Sequence, residues 1–144
     1  MKNGSVSSDG SALLALQRAT HATLQTLATE LVDLDLTPSE TNALANLADG
    51  RGRTVSELGA AIGSKPTTLT GVLDRLERRG HITRGTLAGD RRSVLIELTP
   101  SGRTTAEAIL RTIGELERRA LADLGPERVA AFHEVLRALT EEAR

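Results

Sequence analysis

Ser64, Lys65, Thr67, Thr68 and Thr70 crowd four hydroxyls and an ammonium into one short run, and Arg91 and Arg92 set two guanidinium groups side by side. Hydroxyls and threonine methyls can meet base edges, the thymine methyl included, and arginine suits the narrow, negative minor groove. This is recognition chemistry rather than catalysis. The chain has no cysteine, no P-loop, no glycine-rich dinucleotide motif and no His/Glu metal pair. His21, His81 and His133 lie far apart, so each reads as structural or surface. No catalytic residue, cofactor or metal ligand is expected.

The elements that must position these groups follow from capping signals and hydrophobic spacing. Thr37-Pro38-Ser39-Glu40 reads as a capping box with proline at the first helical position, opening a helix that runs to Ala48 on Leu44 and Leu47. Thr54 and Glu57 repeat the box for a short helix with Leu58, Ala61 and Ile62 inward. Gly63 should end that helix, since glycine takes the left-handed backbone without steric cost. Ser64 is then the expected cap of the next helix, whose core stripe is Leu69, Val72, Leu73 and Leu76. Two helices meeting across a short glycine turn make a helix-turn-helix.

His81–Thr86 and Ser93–Leu98 read as strands, the second alternating Val94, Ile96 and Leu98. Their tip carries Asp90, Arg91 and Arg92, with Asp90 expected to pair with Arg92. Thr99-Pro100 opens a helix to Leu121 on Ile109, Ile113, Leu116 and Ala120, and Gly125-Pro126 opens a last one on Val129, Phe132, Leu136 and Leu139. At the other end, Leu13, Leu16, Thr20, Leu24, Leu27, Leu31 and Leu34 trace one stripe over a helix from Ser11 to Leu34, about 36 Å long at 1.5 Å per residue. That exceeds what a small domain needs to cover its own core, so part of the stripe is expected to pack on a second subunit.

The expected fold class is mainly α with a small two- or three-stranded β wing. Residues 36–99 form the winged helix-turn-helix, residues 11–35 and 100–144 supply dimerisation helices, and residues 1–10 are disordered. One compact chain is expected rather than independent domains.

Composition fits this reading. A chain of 144 residues suits one aliphatic core, having one Phe and no Trp or Tyr. The net charge of −1 conceals a split: Arg51–Arg103 holds 10 basic and 5 acidic residues, for +5, and the remainder carries −6. The polar start, MKNGSVSSDGS, lacks a signal-peptide core, and no apolar run can span a bilayer, so the expected location is the cytoplasm.

On these residues the chain resembles the multiple-antibiotic-resistance regulators of bacteria, the MarR family. The resemblance runs from about Leu13 to Leu139. Its most specific part, Gly89–Gly102, resembles the family's wing, with Asp-x-Arg on Asp90 and Arg92 and Leu-Thr-x-x-Gly on Leu98, Thr99 and Gly102. Val72–Gly80 is similar to the end of the family's recognition helix, and Leu36–Glu40 to the start of its second helix. The resemblance implies a homodimeric repressor on a pseudo-palindromic operator, with half-sites about 10 base pairs apart. Ser64, Thr67, Thr68 and Thr70 would face bases or adjoining phosphates. Lys65, Arg75 and Ser39 would meet phosphates, and Arg91 and Arg92 would serve the minor groove.

It also implies release by a small phenolic or carboxylated aromatic ligand, held between the winged domain and the dimer helices. Such a pocket would be lined by Leu, Ile and Ala, with Arg111 or His21 as polar contributors. The family's oxidation-sensing, urate-type and zinc-sensing branches need a cysteine, a tryptophan or a clustered ligand set, which this chain lacks. The competing reading keeps the helices but docks the basic middle on an acidic protein partner.

Overall fold

A computed structural model describes residues 7–87 and 90–144, with the backbone alone for Leu87 and for residues 90–93. The chain forms two compact units, Met1–Ile113 and Gly114–Arg144, that share one continuous helix, where the sequence leads one to expect a single compact chain. The element order is α1 (Ala12–Glu30), α2 (Pro38–Leu47), β1 (Arg53–Thr54), α3 (Val55–Ile62), α4 (Pro66–Arg78), β2 (Ile82–Leu87), β3 (Asp90–Leu98), α5 (Pro100–Leu121) and α6 (Pro126–Glu142). This is a mainly helical chain with a small antiparallel sheet, as the sequence leads one to expect.

Most boundaries fall where the capping residues put them. Thr37 Oγ1 accepts from the Glu40 amide at 3.2 Å and Thr54 Oγ1 from the Glu57 amide at 3.2 Å. Gly63 closes α3 at φ +67°, a left-handed conformation that glycine adopts without strain. Two expectations shift. α1 stops at Glu30, and Val32–Leu34 form a 3-10 turn ended by Asp35 in the left-handed region, so the stripe to Leu34 is a helix plus a corner. At the chain's start Ser8–Gly10 make a 3-10 turn capped by Ser7, where disorder is expected, and residues 1–6 lie outside the described residues.

In the first unit Leu44 and Leu47 of α2, Leu58 of α3, the four apolar residues of the α4 stripe, Ile82, Ile96 and Ile109 make one aliphatic core. Ala61, expected inward, is exposed. The sheet is ordered β1-β3-β2, and β1, which pairs Arg53 with Ile96, is a strand that two residues could not announce. The amphipathic α1 contributes Leu27 to the side of this core, whereas Leu13, Leu14 and Leu24 are exposed. In the second unit α6 has no buried residue, and Phe132 and Val135 are about half exposed. Among the described residues no helix is long and apolar enough to cross a membrane.

The junction between sheet and α5 explains the Leu-Thr-x-x-Gly pattern. Thr99 Oγ1 accepts from the Gly102 amide at 3.0 Å, capping α5, and donates to the Gly80 carbonyl beyond α4. The Thr99 amide donates to the His81 carbonyl at 3.0 Å. Gly102 packs so closely on that carbonyl that a Cβ would lie 1.8 Å from its oxygen. One threonine and one glycine therefore fasten the end of α4, the start of β2 and α5 together.

Candidate nucleic-acid interface

α4 is amphipathic along its whole length. Leu69, Val72, Leu73 and Leu76 are buried. At 3.6 residues per turn the opposite row is Thr67, Gly71, Asp74 and Arg78, with Thr70 on one flank and Thr68 and Arg75 on the other. Thr67, Thr68 and Thr70 are all exposed, Thr67 in the outward row and the other two on its opposite flanks, while Ser64 is half-buried in the turn before the helix. Thr70 Oγ1 donates to the Pro66 carbonyl at 2.9 Å, leaving that hydroxyl only its acceptor capacity for a partner.

Ser64 does not cap α4. The cap position is Lys65, without a side-chain bond, because Pro66 takes the first helical position and fixes where the helix begins. Ser64 instead donates its amide to the Gly59 carbonyl at 3.2 Å, within the turn from α3. Lys65 is exposed at the helix's N-terminal end, where open amides and the helix dipole favour an anion. Ser39 stands in the first turn of α2, one residue before Glu40.

Glu40 is the largest departure from the sequence reading. Its side chain does not complete the capping box. It is buried, pairs with Arg75 Nε at 2.9 Å and lies 3.8 Å from Arg79 Nη1. Arg75, expected to meet phosphate, is thus held by a buried carboxylate, although its side chain remains 46% exposed and keeps donors for another partner. Arg79 also donates to the carbonyls of Leu34, at 2.9 Å, and Asp35. The C-terminal half of α4 is therefore clamped to α2 and to the corner before it.

A second ion-pair cluster ties the wing to α4. Arg84 of β2 donates to Asp74 Oδ1 at 2.8 Å and to Glu77 Oε1 at 2.9 Å. The hydrogen bond from Arg84 is the main reason the Glu77 carboxyl is held below its ordinary range, and the two acids in turn push the guanidinium pKa up. Two acids on α4 are in this way neutralised by a strand of the wing. Asp74 and Glu77 stand three apart on a helix, which is visible in the sequence. Their long-range partner is not, because strand register decides it.

Asp90, Arg91 and Arg92 fall on β3, but their side chains lie outside the described residues, as does the expected Asp90–Arg92 pair. β3 pairs with β2 from Ile82 opposite Leu98 to Thr86 opposite Val94, then shifts register before Leu87 opposite Asp90, and the Arg84 ion pairs hold the start of this hairpin beside the end of α4.

The first unit also holds an apolar cavity of about 80 Å³. Leu24 and Leu27 wall it from α1, Leu31 from the corner just beyond, Thr41 and Asn42 from α2, and Ile113 from α5. Arg111 and His21, the polar contributors expected from sequence, do not line it. His21 bonds instead to Gln25 on its own helix, 3.2 Å away. His81 is buried, with Nδ1 unpartnered among the described residues, and burial together with Arg79 lowers its pKa. Among the described residues no cluster of ligating side chains could hold a metal.

Two helices across a glycine turn, followed by an antiparallel hairpin pinned to the second, define a winged helix-turn-helix protein. The MarR family model matches residues 34–93, the segment from the α1–α2 corner into the wing. The uncharacterized HTH-type transcriptional regulator YfiV of Bacillus subtilis (strain 168) is 31% identical over 112 residues, which cover 77% of this chain and 69% of that one. The chain belongs to the MarR family: it is a DNA-binding transcriptional regulator and not an enzyme.

Solved structures agree on the fold. NadR in complex with 4-hydroxyphenylacetate superposes with a TM-score of 0.83 at 25% identity, covering 90% of this chain and 92% of that one. The S. aureus MepR–DNA complex gives 0.76 at 24%, covering 90% and 96%.

Proposed function

We propose that this chain is a repressor that binds a pseudo-palindromic operator as a homodimer and is released by a small ligand. The observation that carries the reading is the outward row of α4, presented on a helix that Glu40 clamps from one side and Arg84 from the other. Thr67, Thr68 and Thr70 read base edges. Ser39, Ser64, Lys65 and Arg75 take phosphates, Arg75 oriented by its bond to Glu40. Arg91 and Arg92 enter the minor groove, with Asp90 as support.

The homodimer is supported within each unit by partly exposed apolar side chains: Leu13, Leu14 and Leu24 on α1, and Phe132 and Val135 on α6. Surface of this kind marks an association site. Residues 11–35 and 100–144 are its proposed source. The effector reading rests on the cavity between α1 and α2. Its lining has Thr41 and Asn42 for hydrogen bonds and no basic residue, which favours a small, largely apolar aromatic over a carboxylate. That a relative of this fold was solved with 4-hydroxyphenylacetate supports a ligand of similar size.

The test is a footprint on the DNA upstream of the chain's own gene, repeated with Arg92→Ala. A symmetric footprint, with affinity falling steeply as salt rises, is expected from phosphate contacts that release counterions. Arg92→Ala should weaken it markedly. Unchanged binding by the variant would remove the wing from the interface, and absence of any footprint would favour a protein-docking role.

A further inference from the structure

Gly71 sits in the middle of the outward row of α4, between Thr67 and Asp74. Glycine is among the worst helix formers, and in the interior of a helix it demands a reason. The usual reasons are absent. Gly71 is not among the glycines with positive φ. A Cβ built on it would meet only Arg75 Nη1, at 3.5 Å, which is ordinary contact. Alanine would therefore fit the folded chain, and alanine is the best helix former.

Within its own fold, Gly71 thus weakens the helix and relieves no crowding. Its position on the row opposite the leucine stripe puts the missing side chain where a partner of the helix would stand. Its neighbours sharpen the point. Thr67 and Asp74 border the gap, and Asp74 is held by Arg84 Nη2 at 2.8 Å, so that wall of the notch is fixed. On the flank, the Thr70 hydroxyl is turned back on Pro66. The helix presents bare backbone at this point.

We propose that Gly71 is the point of closest approach between α4 and the base edges of the major groove, a specificity-determining position that admits no side chain. The inference rests on α4 being the reading helix. Glycine there lets the helix axis settle deeper in the groove, so that Thr67 and the flanking threonines come within hydrogen-bond reach of bases. A methyl at position 71 would lift the helix and lengthen those contacts together. Phosphate contacts, made by long flexible side chains, would adjust.

The test separates stability, specific binding and non-specific binding in full-length Gly71→Ala. The probe is a duplex selected from a random pool by the wild-type chain, against a scrambled duplex of the same length. The variant's thermal midpoint should rise by a few degrees, because the helix gains alanine. Its affinity for the selected duplex should fall by about tenfold or more, the scale of one lost base contact. Its affinity for the scrambled duplex should be unchanged. A variant that binds the selected duplex as tightly as wild type overturns the inference and leaves the DNA reading intact. A wild-type chain that selects no sequence overturns both. A fall in thermal midpoint would show an internal role for Gly71 and also overturn the inference.

Discussion

Arg84 Nη2 stands 2.8 Å from Asp74 Oδ1, a bridge from the first strand of the wing to the outward row of α4. The same guanidinium holds Glu77, so one side chain ties hairpin to helix and offsets two acidic charges, which under the proposed function would otherwise repel phosphate. Arg84→Ala should lower operator affinity by roughly tenfold or more, since two uncompensated acids would then face the DNA. Its effect on folding should stay within about 1 kcal/mol, because the pairs are solvent-exposed. Titrating the variant against operator DNA while following urea unfolding checks both. A large stability loss with normal binding would contradict the assignment.

Glu40→Gln should destabilise the chain by about 1–2 kcal/mol, less than the 3–5 typical of breaking a fully buried pair. The discount follows from the partners. Glu40 is buried, but Arg75 and Arg79 remain 46% and 37% exposed and can be rehydrated. Urea midpoints of the two chains measure it.

Gly102→Ala should be the most damaging of these substitutions. The new Cβ would lie 1.8 Å from the His81 carbonyl oxygen, a backbone clash that no rotamer relieves. A loss of about 3 kcal/mol or more is expected, lowering the thermal midpoint by on the order of 10 °C. Calorimetry on the variant tests this, and a midpoint within a degree or two of wild type would refute the packing described.

His81 should make stability fall in mild acid. Burial and Arg79 lower its folded pKa below the ordinary 6.5, so the unfolded chain binds the proton more tightly. Stability is therefore undiminished by this group above about pH 6.5 and declines as pH drops from there toward the folded value. Unfolding free energies of the wild type and His81→Gln at pH 7.5 and 5.5 check the sign. The variant should show the smaller difference.

The caps were legible in the sequence because they are local: Thr37, Thr54 and Thr99 each need only a nearby amide, and each makes that bond. The leucine stripe of α4 was legible for the same reason, as periodicity alone orders it. What escaped was whatever two distant elements decide jointly. Glu40 looked like half of a capping box, yet packing carries its carboxylate to Arg75, 35 residues on. Ser64 is a local exception: Pro66, two residues on, takes the first helical position and makes Lys65 the cap, a signal the sequence already carries. β1 has no pattern of its own, since a two-residue strand exists only through its pairing with β3.

The corner that ends the first helix has a mechanical consequence. Arg79, just beyond the last turn of α4, grips the carbonyls of Leu34 and Asp35. Leu31 and Leu36, on either side of that corner, are also walls of the apolar cavity. A molecule that swelled the cavity would push on a corner already tethered to the end of α4. The route from the cavity to the end of α4 is then two carbonyls and one guanidinium long, and it starts at Leu31, a residue of the leucine core itself.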